Sequence, residues 1–167
     1  MLIRKMTEED IKQVVEIEKE CFSLPWSEKS FEDSLKREDT IFLVCEQEVC
    51  QICEEYADDI QKQAISCPPD KKILGYIGMY CSFEEGEITN VAVLPFARKK
   101  GVGNRLINSL KEIAKKQNLE RIVLEVRVSN QPAISLYEKN GFVSVGIRKN
   151  FYEKPIEDAK IMICEMA

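Results

Sequence analysis

Histidine is missing from all 167 residues. That removes the side chain most often used as a general base near neutral pH, and the commonest metal ligand, so proton traffic must pass through Glu, Asp, Tyr, Cys or Lys. Long apolar runs are missing too. No stretch approaches the ~20 residues that a membrane-spanning helix needs. The opening residues Met1-Leu2-Ile3-Arg4-Lys5 run into acids rather than into a signal-peptide core, so a cytoplasmic chain without membrane contacts is expected. Positive charge is not in excess: 24 Lys and Arg stand against 29 Asp and Glu, a net charge of −5. A general nucleic-acid binder is usually basic, so no nucleic-acid partner is expected, whereas an acidic surface can speed encounter with a basic acceptor. Internal repeats and low-complexity tracts are also absent.

What remains is ordinary soluble composition, 44% apolar and 32% charged, in a length that suits one domain with a full core. Seven cysteines at 21, 45, 50, 53, 67, 81 and 164 form an odd set that reads as reduced thiols. Cys50-x-x-Cys53 with Cys67 leaves a metal or redox pair open, but Cys67 lacks the second paired cluster that a zinc site uses, and no metal is expected.

Periodicity predicts alternating strands and helices. Ile3–Met6 reads as a strand. Thr7 and Asp10 stand as a capping box, with Ile11, Val14, Val15, Ile17, Cys21 and Phe22 on the helix that follows. Pro25 ends that helix, and Ser27 caps a second one through Phe31 and Leu35. Ile41–Cys45, Ile73–Tyr80, Glu87–Val93, Arg121–Val128, Phe142–Lys149 and Lys160–Met166 read as strands, the last two as an antiparallel pair. Helices are expected up to about Asn118 and over Pro132–Asn140, the latter closed by Gly141 in the left-handed conformation. The alternation predicts one α/β domain over residues 1–167 with a mixed sheet. Val49, Ile52, Cys53, Tyr56 and Ile60 at helical spacing predict an inserted helix within about 46–72, closed by Cys67-Pro68-Pro69-Asp70.

The richest stretch is Asn90-Val91-Ala92-Val93-Leu94-Pro95-Phe96-Ala97-Arg98-Lys99-Lys100-Gly101-Val102-Gly103-Asn104. A strand breaks at Pro95, a basic turn follows, and a helix begins. Free N–H groups and the positive end of a helix dipole then meet at one point, which is an anion site suited to a phosphate or pyrophosphate. The spacing Arg98-x-x-Gly101-x-Gly103 fits neither a Walker loop nor a dinucleotide fingerprint. It resembles the acetyl-CoA signature of the GNAT acetyltransferases. Further on, a strand ending near Asn130 leads to a helix carrying Leu136-Tyr137, closed by Gly141-Phe142, again in that family's order. The likeness spans about Ile3 to Glu165. It is nearest to the bacterial branch that acetylates the N-terminal alanine of a ribosomal protein, through Phe22–Phe31, Asn90–Val93, Leu124–Arg127 and Ile147–Tyr152 with Glu157-Asp158-Ala159.

The resemblance implies a mostly antiparallel mixed sheet of about six to seven strands, with flanking helices and a splayed pair at the acetyl-CoA site. It implies acetyl-CoA as co-substrate, held by Val91, Ala92, Val93, Arg98, Lys99, Lys100, Gly101, Val102, Gly103, Asn104 and Asn130. The residues alone leave Asn130 equally able to cap its helix. Glu125, in an apolar strand, is the expected base, against a plain solvated strand position. Tyr137 is the expected acid, against a core aromatic. Trp26, Arg148, Asn150 and Tyr152 are expected to line the acceptor cleft, Trp26 otherwise anchoring core. The implied acceptor is a protein N-terminus, that of a ribosomal protein, with the enzyme a monomer or weak dimer. Transfer to internal lysine or a small amine, and a non-catalytic CoA-binding module, stand as the alternatives.

Overall fold

The computed structural model describes residues 1–48 and 71–166. The helix expected within 49–64, with Cys50, Cys53 and Cys67, lies outside the described residues. The strands on either side run up to it: β2 (Thr40–Glu48) and β3 (Lys71–Ser82) pair antiparallel, with Glu46–Glu48 against Lys71–Ile73.

With β1 (Leu2–Lys5), β4 (Glu85–Val93), β5 (Arg121–Arg127), β6 (Val143–Glu153) and β7 (Ile156–Glu165), these strands form one seven-stranded sheet. Its order is β1-β2-β3-β4-β5-β7-β6. Every neighbouring pair is antiparallel except β4 and β5, as a mixed and mostly antiparallel sheet was expected to be. The helices are α1 (Ile11–Cys21), α2 (Glu28–Leu35), α3 (Val102–Lys116) and α4 (Gln131–Lys139) among the described residues. No helix there is long and apolar enough to cross a membrane.

Local chemistry accounts for these elements. Asp10 accepts from the Thr7 backbone N–H at 2.8 Å, and its carboxylate also grips Arg4 of β1 through both guanidinium nitrogens. That ties the start of α1 to the first strand. The α1 face carrying Ile11, Val14 and Ile17 is buried. Ser27 accepts from the Ser30 N–H at 3.1 Å and caps α2. Phe31 of α2 is fully buried, with Trp26, Phe42 and Tyr76 rings 5.4, 6.1 and 5.5 Å away, centroid to centroid. Leu106, Ile107, Leu110 and Ala114 are the buried stripe of α3, spaced three and four apart. Gly141 ends α4 at φ +87.

Two irregularities shape the middle of the sheet. Gly78 pairs with Asn90 and Met79 with Ile88, which leaves Thr89 as an extra residue on β4. Such a bulge bends a strand and sharpens its twist. The parallel β4–β5 ladder runs from Glu85↔Arg121 to Ile88↔Leu124 and ends there. Beyond it β4 stays paired with β3 as far as Val93↔Gly75, and β5 with β7 as far as Arg127↔Ala159. The two strands are therefore held from their outer sides and part along their inner ones.

Gly78 sits where this bulge meets the aromatic cluster. A β-carbon added there would lie 2.3 Å from Cε1 of Phe42. Gly78→Ala should therefore cost about 1–3 kcal/mol of stability through overpacking, and lower the urea midpoint by the matching amount. An unchanged midpoint would show that the ring does not sit over this glycine.

Candidate active site

The gap between β4 and β5 has a main-chain edge. The Leu94 N–H donates to the Leu74 carbonyl at 2.9 Å. Bonded pairs alternate along an antiparallel ladder, so the N–H and C=O groups of Val91 and Val93 turn away from β3 and into the gap. Ala92 between them is buried and belongs to the core. The Val93 carbonyl already has partners: Arg98 Nε donates to it at 3.0 Å, and the Cys21 thiol lies 3.6 Å away. Arg98 also reaches Cys21 Sγ at 3.6 Å, so this guanidinium folds back to brace the end of β4 instead of standing out in solvent.

After the short 3-10 turn Pro95–Ala97 the chain passes Lys99 at φ +61 and Gly101 at φ +84 before α3 starts at Val102. Lys99 carries a β-carbon in a conformation that costs about 1–3 kcal/mol, and such positions cluster at ligand-binding turns. A β-carbon built on Gly101 meets nothing within 4 Å, so the first turn of α3, with Lys100 before it and Gly103 and Asn104 in it, opens to an approaching anion. Gly103 has a different reason to be glycine. A β-carbon there would stand 2.8 Å from Leu136 Cδ2, so it sets the close packing of α3 on α4.

On the β5 side, Ile122, Leu124 and Val126 are buried, and Glu125 lies on the opposite face with its side chain 14% exposed. Burial pushes its carboxyl above the ordinary range. Arg148, whose NH1 is 3.0 Å from Oε1, pulls it back down, and Glu87 on β4 pushes it further up. Tyr152 donates its hydroxyl to the Glu125 carbonyl at 3.2 Å while its ring lies 4.1 Å beneath the Arg127 guanidinium. Burial is the main reason the Tyr152 hydroxyl is pushed up to about 12; Arg127 opposes the shift, and Glu125 and Glu157 add to it. Glu125, Arg148 and Tyr152 thus form one cluster. Asn150, at φ +51, donates its backbone N–H to Asp158 at 2.9 Å and is not joined to that cluster by a hydrogen bond.

Tyr137 is buried on α4 with its ring 5.7 Å from Phe142. Burial raises its hydroxyl well above the usual value, and Tyr152 adds to the rise, so the phenol keeps its proton at neutral pH. Asn130 accepts from the Ala133 N–H at 3.3 Å and caps α4. The Trp26 ring is packed among Phe31, Phe42 and Tyr80, at the edge of the aromatic core.

One residue beside the gap is absent from the sequence expectations. Glu18 of α1 is completely buried and accepts from Trp26, Tyr76 and Asn90. Its spacing from Ile11 and Val14, seven and four residues, put a charge on the buried face of the helix, and that was the available signal.

Comparisons with known proteins bear on the family and the fold. A model of the acetyltransferase (GNAT) family matches residues 11–142. A Bacillus subtilis protein, assigned by name to ribosomal protein bS18-alanine N-acetylation, is 36% identical over 161 residues, 96% of this chain and 92% of that one. The N-alpha-acetyltransferase of Sulfolobus acidocaldarius is 48% identical over 79 residues, 47% of this chain and 46% of its own. The crystal structure of the ribosomal-protein-S18-alanine N-acetyltransferase from Escherichia coli superposes with a TM-score of 0.77 at 26% identity, covering 99% of this chain and 94% of that one.

The Arg148 ion pair favours the charged form of Glu125, so removing it should raise the Glu125 carboxyl pKa. A carbon-13 NMR titration of Arg148→Met against the parent reads this directly; a fall, or no change, would show that the pair does not form in solution.

Proposed function

The chain belongs to the acetyltransferase (GNAT) family, and from that premise we propose that it moves the acetyl group of acetyl-CoA to the N-terminal α-amine of a protein. The acceptor we assign is the N-terminal alanine of ribosomal protein bS18. The observation that carries this reading is the 36% identity sustained over nearly the full length of a protein named for that reaction. A ribosomal acceptor also places the enzyme in the cytoplasm.

The co-substrate supplies an activated thioester, and the residues present fit it. The amides of Val91 and Val93 face the gap as donors for the arm and for the thioester carbonyl. The open turn from Lys99 and Lys100 through Gly101, Val102, Gly103 and Asn104 takes the pyrophosphate on backbone N–H groups at the start of α3. Arg98 acts one step back, fixing the Val93 end of that edge. Asn130 contributes by capping α4, which carries Tyr137.

The attacking amine must lose a proton. An α-amine has a pKa of about 8 against about 10.4 for lysine, so more of it is already neutral near pH 7. Glu125 takes the proton, directly or through water; burial makes its carboxyl a better base than an exposed glutamate. The departing thiolate takes its proton from Tyr137, whose buried hydroxyl has retained it. Arg148 and Tyr152 on one side and the Trp26 loop on the other bound the acceptor's path; Asn150 shapes the β6 turn between Arg148 and Tyr152.

Intact-mass measurement with a peptide copying the bS18 N-terminus should show one added acetyl group, and none when the α-amine is blocked. Modification of the blocked peptide on a lysine would overturn the acceptor assignment. Glu125→Gln and Tyr137→Phe should each lower kcat by about 100-fold or more, with the acetyl-CoA dissociation constant unchanged by calorimetry. Normal turnover in either variant would remove that residue from the mechanism.

A further inference from the structure

Among the buried carboxylates of the described residues that the chemistry above does not use, Glu18 is the most deeply buried, and its three partners come from three different segments. Oε2 accepts from the Trp26 backbone N–H at 2.8 Å, in the loop joining α1 to α2. Oε1 accepts from the Tyr76 hydroxyl of β3 and from Asn90 Nδ2 of β4 at 3.3 Å. All three are neutral donors, and Glu18 itself is 0% exposed. A carboxylate taken out of water without a cation costs several kcal/mol. An apolar side chain at this position would avoid that cost, so what the carboxylate provides is two oxygens pointing to opposite sides.

One oxygen accepts from the Trp26 loop and the other from the splayed strand β4. Asn90 is the residue just past the bulge at Thr89, and the β4–β5 ladder ends two positions before it, at Ile88. It therefore stands where β4 swings away from β5 and starts the segment whose Val91 and Val93 amides face the gap. Asn90 is itself buried; its Nδ2 donates to Glu18, while its Oδ1 has no hydrogen-bond partner among the described residues. Trp26 belongs to the loop that bounds the acceptor's path in the reading above. We propose that Glu18 is a positioning residue that locks the splayed segment of β4 and the Trp26 loop to each other through its two carboxylate oxygens, so that occupancy of the cofactor edge is felt at the acceptor wall. The proposal names an added role within the reading of the site given above, but it requires only that acetyl-CoA binds along β4, whatever the acceptor.

Trp26 is the only tryptophan in the chain, so tryptophan emission, excited selectively over the tyrosines, reports on that loop. In the parent protein, adding acetyl-CoA should change the Trp26 emission. Glu18→Met cuts both links: emission of the unliganded protein should shift to the red, and the response to acetyl-CoA should vanish while calorimetry still detects binding. Asn90→Ala cuts only the strand link: unliganded emission should match the parent, yet the response should again be lost. Misplacing reacting groups by about 1 Å costs roughly 100-fold in rate, so kcat/KM should fall by that order in Glu18→Met, with the far-UV circular dichroism unchanged. A parent protein whose Trp26 emission ignores bound acetyl-CoA, or either variant retaining the parent response, would overturn the proposal. If Glu18→Met does not fold, Asn90→Ala decides alone. Failure of the bS18 peptide assay would leave these readings untouched, so the two conclusions fail separately.

Discussion

The site depends on one hydrogen-bond ladder stopping early. Had β4 and β5 stayed paired beyond Ile88↔Leu124, the amides of Val91 and Val93 would have been spent on β5, and the sheet would have no entrance. The strands can part only because each is held on its far side, β4 by β3 and β5 by β7. The bulge at Thr89 falls at the same level and turns β4 further from its neighbour. The anion turn, the Glu125 cluster and the buried Tyr137 are arranged around the wedge that results.

Electrostatics divides this wedge into unlike halves. The cofactor side is built from backbone donors and Lys and Arg groups in a chain whose net charge is negative. The proposed acceptor side carries Glu125 and Glu87, with Arg148 paired to Glu125. A negative wall suits an incoming ammonium group, and a carboxyl lifted by burial can then receive its proton. The pair of buried groups, Glu125 on β5 and Tyr137 on α4, are both shifted upward by desolvation, yet the consequence differs. One becomes a stronger base, and the other is kept as an acid.

Much of this was legible in the residues. Periodicity placed every strand and α-helix among the described residues, with edges displaced by up to four positions, as at β6, which continues to Glu153 rather than Lys149. The turn from Arg98 to Gly103 was legible as the break between strand and helix, and Gly101 makes it at φ +84. What stayed hidden has physical causes. The bulge at Thr89 changes which face each later residue of β4 presents: Gly86 backs onto Met79 and Leu119, whereas Asn90 reaches Glu18. A period of two cannot reveal an inserted residue. Arg98 bends back to Val93 and Cys21, and Gly103 makes room for Leu136; the Cys21 and Leu136 contacts are distant in sequence, so composition could not show them. Asn130 left two roles open, and the helix cap is the one formed here.

A cofactor edge made of main-chain groups has a further consequence. Peptide N–H and C=O groups are common to nearly all amino acids, so selection acting on that edge constrains its path and leaves its side chains largely free. Acceptor recognition, in the reading proposed above, rests instead on particular side chains such as Arg148 and Tyr152. Relatives can then keep one architecture while their alphabets drift apart, as the Escherichia coli enzyme does at a TM-score of 0.77 and 26% identity. New acceptors can arise by rewriting a few letters on one wall, while the opposite wall, spelled in backbone, stays the same.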